Sequence, residues 1–238
     1  MKPQPMVAGL LLALLLTGCG GQERSVEGTE LSGTPTEQTQ SAVQQSDFTG
    51  TALVGNSYID SFSIYDAMPG AAYYYRVGLN VNTAFTEPML LGDDTETPVI
   101  DLLQGKSFDH IIFFFGENEL GWVNRDAFKE EYAKVIDTAR GYCPDATIYL
   151  SAIPPVSAEA SEKNEDNTNN ASIQACNEEI RQIAEENGAV YVDAFSALAG
   201  PDGCLPADAA ADGVHPAKEY TEKWVQVLQE SMKETAEA

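Results

Sequence analysis

The run Ile111-Ile112-Phe113-Phe114-Phe115 puts the strongest limit on how this chain folds. It is apolar throughout and does not alternate. Successive strand residues face opposite sides of a sheet, so such a strand needs apolar cover on both faces. That is the environment of a central strand between two layers. Four further β-rich runs accompany this one (His110–Phe115): Thr51–Val54, Tyr73–Val77, Thr147–Ile153 and Val190–Phe195. Between them lie segments with apolar residues at helical spacing. Asp126–Arg140 carries Phe128, Tyr132, Val135 and Ile136, and Ser172–Asn187 carries Ile173, Cys176, Ile180 and Ile183 before Gly188. Ala217–Met232 carries Tyr220, Trp224, Val225 and Leu228. Alternating strands and helices predict an α/β domain around a parallel sheet. Ser161–Asn170 is polar and Asn-rich, and reads as a surface loop.

The first 47 residues read differently. Lys2 followed by the Leu-rich stretch Met6–Leu16 has the pattern of a secretory signal, too short for a membrane span of about 20 apolar residues. It ends in Leu16-Thr17-Gly18-Cys19, which resembles the lipobox of bacterial lipoproteins. That resemblance implies a signal peptide over residues 1–18, cleavage before Cys19, and a lipid on its sulfur. Residues 19–47 are then the lipidated cysteine and a tether rich in Gly, Ser, Thr, Gln and Glu. Such a segment buries too little apolar surface to offset its ordering entropy. Residues 48–238 remain, enough for one domain with a sizeable core. The expected location is the outer face of the bacterial cell membrane.

The chain carries 13 basic and 37 acidic residues, a formal net charge of −24. Nucleic acid and anionic lipid surfaces both need basic patches, so neither is expected as a partner beyond the lipid anchor itself. Cys143, Cys176 and Cys204 allow one disulfide with a free thiol, or none. Their spacing fits no zinc pattern, and there are only two histidines, so no metal or other cofactor is expected. Asp93-Asp94-Thr95-Glu96 lacks the glycine and spacing of a known calcium loop.

In a doubly wound sheet, sites gather at the carboxyl ends of the strands. Gly55-Asn56-Ser57 follows the first run, Gly78-Leu79-Asn80 the second, and Gly116-Glu117-Asn118-Glu119 the third; Asp212-Gly213-Val214-His215-Pro216 precedes the last helix. Together these blocks hold the parts of a serine hydrolase. A serine hydroxyl is a weak nucleophile until a base takes its proton, and His215 is the candidate base. If it must be neutral to act, kcat/KM falls as pH drops through roughly 6 to 7. Asp212 can turn its carboxylate to the other imidazole nitrogen and fix the tautomer. The oxyanion needs preorganised donors. The candidates are the backbone N–H groups of Ser57 and Gly78 and the side-chain amide of Asn118.

The four blocks, in this order, resemble those of the SGNH, or GDSL-type, hydrolases over roughly residues 50–230. The resemblance implies a flavodoxin-like, three-layer α/β/α fold with a central five-stranded parallel sheet. Carried over by position, it implies Ser57 as nucleophile, Asp212 and His215 as its triad partners, and Ser57, Gly78 and Asn118 as the oxyanion hole. Two positions depart from the family pattern: Asn56 and Glu119 stand where the family usually has Asp. The nucleophile elbow G-x-S-x-G is absent, since position 59 is Ile, and Asp212 and His215 share one loop. Both features speak against the α/β-hydrolase fold.

Each residue also has a plainer reading. Ser57 also reads as a turn residue after Gly-Asn, Asp212-Gly213 as a turn before a helix, and Asn118 as a helix cap. His110 opens an apolar strand and reads as structural. Glu117 and Glu119 read as solvated charge. Tyr58 and Trp122 either line a cleft or pack. Family members act on acetylated carbohydrates, short esters and lysophospholipids, so the expected substrate is a small acyl ester or an O-acetylated glycan. The same triad also serves acyltransferases, and a non-catalytic surface lipoprotein is the contrasting class.

Overall fold

The computed structural model describes residues 47–90 and 96–237. The signal segment 1–18, Cys19, the tether up to residue 46, and residues 93–95 of the acidic run lie outside the described residues.

Five parallel strands form one sheet: β1 (Thr51–Gly55), β2 (Ala72–Tyr75), β3 (His110–Phe114), β4 (Thr147–Ser151) and β5 (Val190–Val192), in the order β2-β1-β3-β4-β5. β3 lies between β1 and β4, with Gly55 opposite Phe114 and Phe113 opposite Leu150. Ile111 through Phe115 are all buried, as the lack of alternation requires. The strands join through α1 (Tyr58–Ile64), α2 (Arg125–Tyr142), α3 (Ala158–Lys163), α4 (Asn170–Glu186), α5 (Ala194–Leu198) and α6 (Lys218–Glu237).

Neighbouring phenylalanines of β3 meet opposite layers. Phe114 packs against Phe62 of α1 and Trp224 of α6, with ring centroids 5.2 and 5.4 Å apart. Phe113 packs against Tyr132 of α2 at 6.4 Å. The described residues therefore form a three-layer α/β/α domain, with α1 and α6 on one face and α2 on the other.

Asn124 caps α2 by accepting the N–H of Ala127, and Asn169 caps α4 by accepting that of Ser172. Two expectations need correction. The fifth run does not stay extended to Phe195. Asp193 ends it by accepting the N–H and hydroxyl of Ser196, which starts α5. The segment 161–170 is not simply a loop, because it holds the end of α3, a 3-10 turn over Glu165–Asn167 and the start of α4. The three cysteines of the domain are free thiols, with Cys143 and Cys176 buried.

β1 runs one way to β2, and the chain then crosses back to β3. The sheet order reverses at that point, so the loops leaving β1 and β3 diverge and open a crevice at the carboxyl edge. At the opposite, amino edge, Asp47 and Phe48 share a small cavity with His110 and with Gln229 and Met232 of α6. Entry into β1 and the later turns of α6 thus lie together there.

Candidate active site

The nucleophile candidate sits where β1 comes unusually close to β3. A Cβ on Gly55 would lie 2.3 Å from the carbonyl oxygen of Phe114, so only glycine fits. Asn56 is fully buried; its N–H donates to Phe114 O, and its side-chain oxygen accepts the N–H of Tyr58. The chain then turns into α1 with Ser57 as the first flanking residue. The Ser57 side chain does not cap that helix. Its Oγ lies 2.9 Å from Nε2 of His215 instead.

His215 is held by its own loop. Asp212 Oδ1 accepts the N–H groups of Val214 and His215 at 2.9 and 2.8 Å, and Oδ2 lies 2.7 Å from His215 Nδ1. Partial burial pushes the Asp212 carboxyl up, but the bonds from His215 and Val214 outweigh it and hold the group below its usual range. The intervening Gly213 has φ of +79°, and a Cβ there would meet Ser157 Oγ at 2.4 Å. Its carbonyl accepts the N–H of Ser157 at 2.8 Å, which docks the loop on the start of α3. The Tyr58 ring lies 5.5 Å from the imidazole and 5.5 Å from Trp224. Tyr58 is therefore a buried brace for His215 and not an open cleft wall.

The second and third blocks are stitched together. The Asn118 amide donates to Leu79 O at 2.8 Å, beside Gly78. One of its two N–H donors remains for a ligand. Among the described residues, the backbone N–H groups of Ser57 and Gly78 have no acceptor. Ser57, Asp212 and His215 are thus joined in one hydrogen-bonded chain, and Gly78 and Asn118 lie on adjoining loops at the same sheet edge.

Glu119 is not a solvated charge. It is fully buried, and its two carboxylate oxygens accept the N–H groups of Val81 and Gly116 at 2.7 and 2.9 Å. Burial, the main cause, pushes its carboxyl up to about 7 against these bonds, and Glu117 adds to the rise. Glu117 is half-buried and faces His215. His110 packs its ring on Tyr149 and burial lowers its pKa, in keeping with a structural role.

A cavity of about 920 Å³ opens over this edge, lined by Asn118, Trp122, Asp212 and His215, with Glu117 and Asp166 among its carboxylates. Trp122 is therefore a cavity residue. Asp166 escaped the sequence reading because its segment looked like a featureless polar loop. The signal was the Asn-rich composition itself, since Asn tolerates the left-handed backbone found at Asn164 and Asn167.

The chain belongs to the GDSL-like lipase/acylhydrolase family, whose model matches residues 51–220. It is an ester hydrolase of the SGNH type. Its fold is shared by a protein from Streptococcus pneumonia provisionally assigned as a platelet activating factor, at 18% identity and a TM-score of 0.64, over 79% of this chain and 86% of that one. A GDSL-like lipase from Bacteroides thetaiotaomicron is similar over 78% and 88%, at 16% identity and a TM-score of 0.57. An acetylxylan esterase from Geobacillus stearothermophilus is similar over 79% and 96%, at 14% identity and a TM-score of 0.54. No curated protein sequence matches the chain significantly.

Proposed function

We propose that Ser57, His215 and Asp212 form the catalytic triad of a cell-envelope esterase that removes acetyl or other short acyl groups from carbohydrate or small-molecule esters. The observation that carries this reading is the continuous contact from Ser57 Oγ to His215 Nε2 at 2.9 Å and from His215 Nδ1 to Asp212 Oδ2 at 2.7 Å. Ser57 Oγ attacks the ester carbonyl carbon while His215 Nε2 takes the hydroxyl proton. Asp212 stabilises the imidazolium. The oxyanion is met by the backbone N–H groups of Ser57 and Gly78 and the free amide N–H of Asn118. Collapse expels the alcohol, which takes its proton from His215 and leaves an acyl-serine. Water then attacks the acyl carbon, His215 accepts its proton, and the carboxylic acid departs as Ser57 regains its proton.

The existence of an acetylxylan esterase on the same fold supports a carbohydrate ester as substrate. Residues 20–238 are expected to hydrolyse p-nitrophenyl acetate faster than the butyrate or octanoate, and Ser57→Ala to abolish turnover and fluorophosphonate labelling. A wild type that is folded yet neither turns over nor labels would overturn the triad reading. The envelope location rests on the lipobox-like residues before Cys19. Cys19→Ala is expected to move the protein from the membrane fraction to the soluble one.

A further inference from the structure

The chain leaves β4 through Ile153-Pro154-Pro155-Val156, a segment that is buried throughout. Buried backbone groups must find hydrogen-bond partners, and the two prolines have no N–H to offer a neighbouring strand. Two asparagines of α4 supply the pairing at either end. Asn177 accepts the N–H of Ile153 and donates to its carbonyl, both at 2.8 Å. Asn170 does the same for Val156, at 2.8 and 2.9 Å. A side-chain amide carries both an acceptor and a donor, so each asparagine stands in for a paired peptide. Residues 170 and 177 lie about two helical turns apart and so share one face of α4.

The clamp at Val156 is the one that reaches the site. The Val156 carbonyl also accepts the N–H of Leu205 at 3.0 Å, and the next residue, Ser157, donates its N–H to Gly213 O at 2.8 Å. Gly213 lies between Asp212 and His215. A Cβ on Gly213 would lie 2.4 Å from Ser157 Oγ and 3.1 Å from Ala160 Cβ, so the loop is seated closely on this segment. The far end of the loop rests on α6, where Thr221 donates to Pro216 O at 3.1 Å. The bonds from Asp212 fix the imidazole within its loop. Where the loop stands over Ser57 depends on what the loop is seated on.

We infer that Asn170 is a positioning residue for His215. By gripping both polar groups of Val156 it holds Ser157, and through Gly213 it holds the imidazole within reach of Ser57 Oγ. Asn170 touches no reacting atom and does not line the cavity. The inference rests on Ser57 and His215 being the reactive pair, and it deepens that reading by one residue from the neighbouring layer.

Fluorophosphonate labelling separates positioning from stability. Its end-point counts competent molecules, and its rate reports how well His215 activates Ser57. The chain carrying Asn170→Ala should reach the wild-type end-point about tenfold or more slowly. Its kcat on p-nitrophenyl acetate should fall by a similar factor, with KM unchanged. Asn170→Asp still accepts the Val156 N–H but as a carboxylate cannot donate to Val156 O, so it should slow labelling less. It also carries the test if Asn170→Ala does not fold. Asn177→Ala removes the same two bonds at Ile153, farther from the loop, and should lower the urea midpoint without slowing labelling. A wild-type rate in the folded Asn170 variants, a lower end-point at unchanged rate, or equal slowing in Asn177→Ala would overturn the role of Asn170 and leave the Ser57 reading standing. Absent labelling of folded wild type would remove the Ser57 reading, and the inference with it.

Discussion

Glu119 stands where the family pattern has Asp, one methylene shorter, and it spans two loops. By accepting Val81 N–H and Gly116 N–H it holds the second block against the third, and so sets where Gly78 and Asn118 lie relative to each other. Its sequence looked like surface charge, since Glu117 and Glu119 flank an Asn in a polar stretch, and burial of a charge is set by tertiary packing. Folding raises its pKa from 4.5 to about 7, so the native state holds this proton more tightly than the unfolded chain. The resulting stability is fully present below pH 4.5 and is lost as pH rises through about 7. The shift corresponds to roughly 3 kcal/mol. Urea titrations at pH 5 and pH 8 are expected to show a larger loss for wild type than for Glu119→Gln, which has no proton to lose there. An equal loss in both proteins would assign the pH dependence elsewhere. The triad residues were legible because they carry distinctive chemistry in a fixed order. Glu117 and Trp122 could be named but not assigned, and Asp166 could not be found, because nothing local marks which residues converge across loops.

The elements followed from spacing where one face is apolar and both ends are capped. Asp126–Arg140 was extended only to Arg125–Tyr142, because Phe128, Tyr132, Val135 and Ile136 recur at helical intervals above a capping Asn. Val190–Phe195 was overextended because Asp193 reads equally as a strand-end turn and as a cap; its contact with Ser196 decides between them. The last helix carries the largest structural burden near the site. Trp224 is buried, its indole N–H donates to Ser151 Oγ at 2.9 Å, and its ring meets Tyr58, Phe62 and Phe114. It therefore links α6, α1, β3 and β4 beneath His215. Trp224→Ala is expected to cost about 3–5 kcal/mol in urea unfolding. Trp224→Phe, which keeps the ring packing, should cost less.

Across the whole molecule, parallel strands impose a polarity. Every strand points its carboxyl end at the crevice, while Phe48 and the later turns of α6 gather at the far edge. β1 spans five residues, about 16 Å at the usual rise per residue, and that is the approximate separation of the two edges. Handles of either kind, ahead of residue 47 or beyond α6, therefore attach on the side away from Ser57. The domain is suited to display on a bead, a vesicle or a larger scaffold from either end, with its working face turned outward.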